Sequence, residues 1–278
     1  MAEPRSWLFV PADSEKKIAK ALDSGADAII FDLEDSVAPA MKAAARELLK
    51  NLPKRTGGPQ WWIRVNPLGS EFHKDDLDLM AVADIHGIVL PKAESGADVA
   101  QLAYRTGNIP VHAIVTETAA SLFGMLSYRD PRSPLAAMSW GAEDLSAALG
   151  ASSKYDQSGE LAFTYRLARS LCLAGAVAAG VQPVDGVFAD FKDENGLRAE
   201  AEAARREGFT GKLAIHPAQV PVINAAFTPS QEEVRLAGEI VAAFEAHPDA
   251  GVLSVGGRMV DRPHLVQAKA VLERATRE

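Results

Sequence analysis

A single cysteine, Cys172, leaves this 278-residue chain without the means for an internal disulfide. It falls inside an apolar helical run, 167–179, where packing is the expected role, and the chain reads as cytoplasmic. Basic charge is also scarce. With 29 Lys and Arg against 37 Asp and Glu, the net charge of −8 argues against general nucleic-acid binding, while leaving room for a local basic pocket. No apolar run is long enough to span a bilayer, and Glu3 and Arg5 precede only a short apolar patch, so neither a membrane span nor a signal peptide is expected. Missing as well are a G-x-G-x-x-G turn, a Walker-type loop, paired-cysteine zinc spacing and a G-x-S-x-G elbow. Those absences disfavour dehydrogenase, NTPase, zinc-hydrolase and serine-hydrolase readings. There is no short-period repeat or low-complexity stretch.

What is present is an alternation. Short apolar runs at 7–10, 28–31, 61–66, 87–92, 111–115, 138–140, 185–188 and 212–217 read as strands. Between them lie helical patterns at 14–24, 39–51, 75–83, 97–106, 160–180 and 195–207, with a short helix after Glu117 and an exposed loop at 151–159. Eight such alternations predict a closed TIM (β/α)8 barrel over residues 1–228. Residues 229–278 add helices at 231–246 and 263–276 around a Gly- and Val-rich stretch, 251–261, that suits a mobile lid. The hydrophobic fraction of 47% is enough for a barrel core of this size.

Several runs end in acids, which is how a barrel builds an active site at the C-terminal ends of its strands. Glu117 closes the fifth and Asp144 follows the sixth, about one βα unit later. Two hard oxygen donors with no His or Cys nearby favour Mg²⁺, with Mn²⁺ as a substitute; the alternative is that both acids cap helices. Arg64 ends the third strand, so its guanidinium is expected to stand free at the mouth and grip a substrate carboxylate. The alternative for Arg64 is an ion pair with the crowded acids Asp32, Glu34 and Asp35. Lys92 reads as a salt-bridge residue more than a Schiff-base lysine. His216 reads as satisfying backbone groups or lining a pocket before it reads as a base, and Asp190 and Asp193 suit helix capping at least as well as chemistry.

Eight motifs then occur in order along the chain: Arg5-Ser6-x-Leu-Phe-Val-Pro, Asp32-Leu33-Glu34-Asp35 followed by Lys42 and Arg46, Arg64-Val65-Asn66, Leu90-Pro91-Lys92, Glu117-Thr118-Ala119, Gly141-Ala142-Glu143-Asp144-Leu145, Ile215-His216-Pro217-x-Gln219 and Met259-Val260-Asp261-x-Pro263. Together they resemble the citrate lyase β-subunit-like (CitE-like) branch of the HpcH/HpaI aldolase family, related to malyl-CoA and citramalyl-CoA lyases. The resemblance implies Mg²⁺ on Glu117 and Asp144, substrate held by Arg64 and Glu117, and Asp261 acting as acid/base at a neighbouring subunit's site. It implies a homotrimer or dimer of trimers. The implied reaction is carbon–carbon cleavage of a hydroxyacyl-CoA thioester of the citryl-, malyl- or citramalyl-CoA kind, with CoA as part of the substrate and a 2-oxoacid and an acyl-CoA as products. A metal-dependent 2-oxoacid aldolase, an acyl-CoA thioester hydrolase, or a subunit-type barrel needing an acyl-carrier partner stay open. A complete thioester-binding domain is not expected in so short a chain.

Overall fold

In the computed structural model, which describes residues 3–53, 57–80 and 83–276, the apolar runs become strands buried on both faces. The first turns of the barrel are β1 (Ser6–Pro11), α1 (Glu15–Leu22), β2 (Ala28–Asp32), α2 (Lys42–Lys50) and β3 (Gln60–Arg64). Next come α3 (His73–Met80), β4 (Gly87–Leu90), α4 (Gly96–Thr106) and β5 (Val111–Ile114). The chain continues through β6 (Leu135–Ser139), α5 (Ala142–Ala148), α6 (Phe163–Ala179), β7 (Gln182–Asp185), α7 (Glu194–Glu207) and β8 (Gly211–Ala214). Each strand pairs parallel to the next, and β1 pairs with β8, closing a TIM barrel of eight strands. No helix among the described residues is long and apolar enough to cross a membrane.

The barrel interior is a packed core of unequal side chains. Trp7, Ile30, Trp62, Val89, Ile114, Val184 and Leu213 fill it, with Ala28 and Ala137 making room for the indoles. Gly87 is required where it stands, because a Cβ there would lie 2.1 Å from the Trp62 ring. His112 joins the tryptophans, its ring edge-on to Trp7 with centroids 4.6 Å apart. Full burial pushes its imidazole down to about 3, so it is neutral at ordinary pH.

Several boundaries differ from the sequence expectation. The sixth strand spans Leu135–Ser139, beginning right after the polar link instead of at 138. The seventh is Gln182–Asp185, so Asp185 ends it instead of starting it. Its polar ends looked unlike a buried strand, but distant partners satisfy both: Gln182 Nε2 donates to the carbonyl of Pro4 at 2.8 Å, and Lys212 Nζ donates to Asp185 at 2.8 Å. The expected lone helix after Glu117 is two 3₁₀ turns, Ala120–Phe123 and Met125–Tyr128. Helix α5 was not foreseen, and of the third helix expected at 75–83, positions 81–82 lie outside the described residues while Ala83 is not helical.

Helix α8 (Val220–Phe227) crosses a division of the chain into two compact units, which falls between Asn224 and Ala225. In the second unit, α9 (Gln231–Ala246) and α10 (Arg262–Ala275) enclose a small core with Ala237, Ile240, Phe244, Val260 and Ala268. The stretch expected as a lid is a hairpin of β9 (Val252–Val255) and β10 (Arg258–Asp261). Gly256 and Gly257 both hold positive φ, 56° and 76°, as a two-residue turn between twisted strands demands.

The most buried ion pair ties β7 to β8. Lys212 is fully buried and donates to Asp185, to Glu200 at 2.7 Å and to the Gly186 carbonyl at 2.8 Å. Asp185 also accepts from Trp140 Nε1 at 2.8 Å and Arg169 Nε at 2.7 Å. Burial alone would raise the Asp185 carboxyl, but Lys212 and Arg169 outweigh it and hold it down to about 2. A depressed carboxyl contributes stability above its unfolded value, about 3.9, and loses it as pH falls toward the folded value. Asp185→Asn is therefore expected to cost roughly 3–5 kcal/mol at neutral pH by removing the buried negative charge that Lys212 and Arg169 share. Urea melts across pH should show wild-type stability falling between about pH 4 and pH 2, with a shallower fall in the variant; equal slopes would contradict the assignment.

Candidate active site

The C-terminal ends of β2 to β6 deliver one group of charged side chains. Asp32 ends β2, Arg64 ends β3, Lys92 follows β4, Glu117 follows β5, and Asp144 stands in the first turn of α5 beyond β6. Asp32 is buried and grips Arg64 in a two-pronged fork, Nε to Oδ1 at 2.7 Å and Nη2 to Oδ2 at 2.6 Å. Its oxygens also accept the backbone N–H groups of Glu34 and Ser36, at 2.9 and 3.1 Å. Burial works to raise the Asp32 carboxyl, but Arg64 and these donors hold it below the usual range. Arg64 Nη1 lies 2.9 Å from Glu34 Oε2, and its guanidinium rests 4.7 Å over the Phe9 ring. The expectation of a free guanidinium is thus corrected. Arg64 is at the mouth, but Asp32 occupies its Nε/Nη2 edge and Glu34 stands against Nη1, the ion-pair alternative for this residue.

Lys92 is the hub. Its Nζ lies 2.6 Å from Glu34 Oε1, 3.2 Å from Asp144 Oδ1 and 3.7 Å from Asp35 Oδ2. Its backbone N–H donates to Glu117 Oε2 from a left-handed conformation, φ 52°, unusual for a residue with a side chain. Lys92 is a salt-bridge residue here, as its sequence context indicated.

Glu117 is buried beneath this hub. Desolvation pushes its carboxyl up to about 8, reinforced by the Glu34 and Asp144 charges and partly offset by the Lys92 N–H. Burial likewise raises Glu34, despite Arg64 and Lys92. Gly141 gives Glu117 its space, because a Cβ there would sit 3.0 Å from the Glu117 Cγ. The Gly141 N–H donates to Thr116 Oγ1 at 3.1 Å, fixing the β6–α5 turn against β5.

A buried layer supports the acid loop from below. Lys42 Nζ donates to the carbonyls of Leu33 and Glu34, at 2.7 and 2.9 Å, and to Asn66 Oδ1 at 2.8 Å. Asn66 Nδ2 in turn donates to Asp76 Oδ2 at 2.7 Å, and Arg46 Nη1 reaches Asp76 Oδ1 at 2.8 Å. The residue-level reading gave Lys42 and Arg46 no role. Their signal was periodic: both share the buried face of α2 with Ala45 and Leu49, where unpaired charge is not tolerated.

Other candidates have local work. His216 Nδ1 accepts the Ala218 N–H at 3.2 Å, and its ring stacks on Phe191 at 4.6 Å. Asp193 caps α7, accepting the Gly196 N–H at 2.9 Å, and Asp190 accepts the Lys192 N–H at 3.0 Å. Cys172 is buried in α6, and desolvation pushes its thiol up. Asp261 belongs to the second unit, where it caps α10 and pairs with His264, whose hydrogen bond lowers its carboxyl.

Glu117 and Asp144 offer hard carboxylate oxygens, and their mutual repulsion is relieved by a cation, a donor chemistry that suits Mg²⁺. Among the described residues no three His, Cys, Asp or Glu side chains converge as a metal cage. Two protein donors fit an ion that takes its other ligands from water and substrate.

The Asp32–Arg64 fork should be measurable as stability. Arg64→Met is expected to cost roughly 3–5 kcal/mol by leaving Asp32 buried and unpaired. Adding Asp32→Asn should recover part of that loss in urea melts, and additive losses would show that the two side chains are not coupled.

Three comparisons bear on this arrangement. Residues 5–217 match the family profile for HpcH/HpaI aldolase/citrate lyase. The chain is 40% identical over 279 residues to a (3S)-malyl-CoA thioesterase of Cereibacter sphaeroides, covering 98% of this chain and 94% of that protein. It is 38% identical over 272 residues to a citrate lyase subunit beta-like protein of Mycobacterium tuberculosis, covering 97% and 94%. The fold is similar to that of Mycobacterium tuberculosis CitE in complex with magnesium, acetoacetate and coenzyme A, with a TM-score of 0.85, 38% identity and 99% of each chain covered.

Proposed function

The chain belongs to the HpcH/HpaI aldolase/citrate lyase family, and from that premise we propose that it is a Mg²⁺-dependent carbon–carbon lyase of the cytoplasm. Its substrate is a hydroxyacyl-CoA thioester of the citryl-, malyl- or citramalyl-CoA kind, and its products are a 2-oxoacid and an acyl-CoA. The observation that carries this reading is the meeting of Arg64, Glu34, Lys92, Glu117 and Asp144 at one barrel mouth through a continuous chain of contacts. A CitE structure that holds magnesium, acetoacetate and coenzyme A on the same fold supports it.

Glu117 and Asp144 are the proposed metal ligands. Bound Mg²⁺ would supply Lewis-acid polarisation of the oxygen that gathers charge as the bond breaks. Arg64, steadied by Asp32 and Phe9, would hold the substrate carboxylate with the guanidinium protons outside its fork. A base removes the substrate's hydroxyl proton, that oxygen becomes the carbonyl of the 2-oxoacid, the carbon–carbon pair passes to the carbon α to the thioester as an enolate, and that α carbon is then protonated. Asp261 of a neighbouring protomer, in a trimer or dimer of trimers, is the proposed acid/base.

A second reading is favoured by one observation, the 40% identity to a (3S)-malyl-CoA thioesterase. There the thioester is hydrolysed and free CoA thiol appears. With purified protein, Mg²⁺ and malyl- or citramalyl-CoA, a 2-oxoacid without free thiol is expected of the lyase. Free thiol without a 2-oxoacid would assign the hydrolase instead. Chelation should abolish turnover, Mg²⁺ or Mn²⁺ should restore it, and Asp144→Ala should stay folded yet lose metal.

The shared site has its own test. Asp261→Asn is expected to slow turnover by roughly a hundred-fold or more with metal binding unchanged. Mixed oligomers of Asp261→Asn and Asp144→Ala protomers should regain activity. Confirmed subunit exchange without recovery would place the base elsewhere.

A further inference from the structure

Acids outnumber cations at the barrel mouth. Arg64 is committed to Asp32 and Glu34, and Lys92 is the cation that reaches Asp144. Two different parts of Lys92 do two different jobs. The backbone N–H holds Glu117, whereas the ammonium spans Glu34, Asp35 and Asp144. At φ 52° a glycine would supply the same N–H without strain. A lysine in that conformation indicates that the side chain matters, since strain retained at a site is a pointer to function.

We propose that Lys92 is a built-in counter-charge that sets the divalent-ion affinity of the Glu117–Asp144 pair. It holds Asp144 in place while keeping the ion weakly enough bound to exchange. This inference rests on the reading that those two acids are the metal ligands. The physical reason is direct. A fixed positive charge bonded to a ligand carboxylate repels a doubly charged ion at the same carboxylate and competes for its lone pairs. Lys92 is partly buried, so salt screens that repulsion less than at an open surface. Glu34 keeps Arg64 as partner when the ammonium is removed, so the acid loop retains a tether.

The test uses Lys92→Met, which keeps an unbranched side chain one atom shorter, the left-handed backbone cost and the N–H to Glu117 while deleting the charge. Metal-free full-length protein is titrated with Mn²⁺, and free ion is followed by electron paramagnetic resonance. Lys92→Met should bind Mn²⁺ at least about ten-fold more tightly than wild type. Lys92→Arg, which restores the charge, should return to within about three-fold of wild type. General damage to the site would weaken binding, the opposite sign. Unchanged or weaker binding in Lys92→Met, with Asp144→Asn impaired, overturns the proposal. Wild-type affinity in Asp144→Asn overturns the ligand reading beneath it instead. Should Lys92→Met fail to fold, Lys92→Gln against Lys92→Arg decides the same point. Tighter binding by Gln supports the counter-charge, and equal or weaker binding rejects it.

Discussion

Everything at the barrel mouth depends on holding several carboxyl groups close together away from bulk water, where each must find a cation or be pushed toward its protonated form. An isolated buried carboxylate would take up a proton or pull the loop open. The Asp32–Arg64 fork meets this constraint first, by placing a planar cation against a buried acid whose oxygens also accept backbone N–H groups. Glu34 then bridges that guanidinium to the Lys92 ammonium. From Lys92 the chain of contacts runs to Asp144 and Glu117. Charge is therefore compensated from strand to strand, the cations coming from different loops than the acids they hold.

The same solution appears at the flank of the barrel, where Asp185 is surrounded by Trp140, Arg169 and Lys212. The two clusters differ in what they leave over. At Asp185 the cations and donors saturate one carboxylate, which stays ionised far below neutrality. At the mouth Glu117 sits near two other carboxylates and is held up near 8. The first is a closed structural tie. The second is a crowd of carboxyl groups that a bound cation would let ionise together, the property that a cation-binding centre needs.

Much of the barrel was legible because β2, β4 and β5 are apolar runs bounded by polar residues or turns, buried on both faces. Strand β7 was misread because Gln182 and Asp185 are polar in sequence and satisfied only by partners far along the chain. The positions of Arg64, Glu117 and Asp144 at strand ends could be read from where the apolar runs stop. The ion pair of Arg64 with the Asp32 cluster was legible only as the alternative, since its fork depends on the register that sets Asp32 beside it. The backbone conformation of Lys92, a non-glycine residue with positive φ, could not be read. Local pattern reveals where a side chain emerges, but its charge environment is a property of neighbouring strands.

The tryptophan-lined floor of the barrel has a consequence for how the molecule meets a change of acidity. His112 is an imidazole on the barrel interior, yet dry packing against Trp7 and Trp62 keeps it from taking a proton until about pH 3. The axis beneath the mouth is electrically silent over the range in which cells live. A shift in acidity within that range therefore leaves His112 uncharged beneath the mouth. The packed tryptophan layer adds no proton-taking group of its own beneath the acids of the mouth.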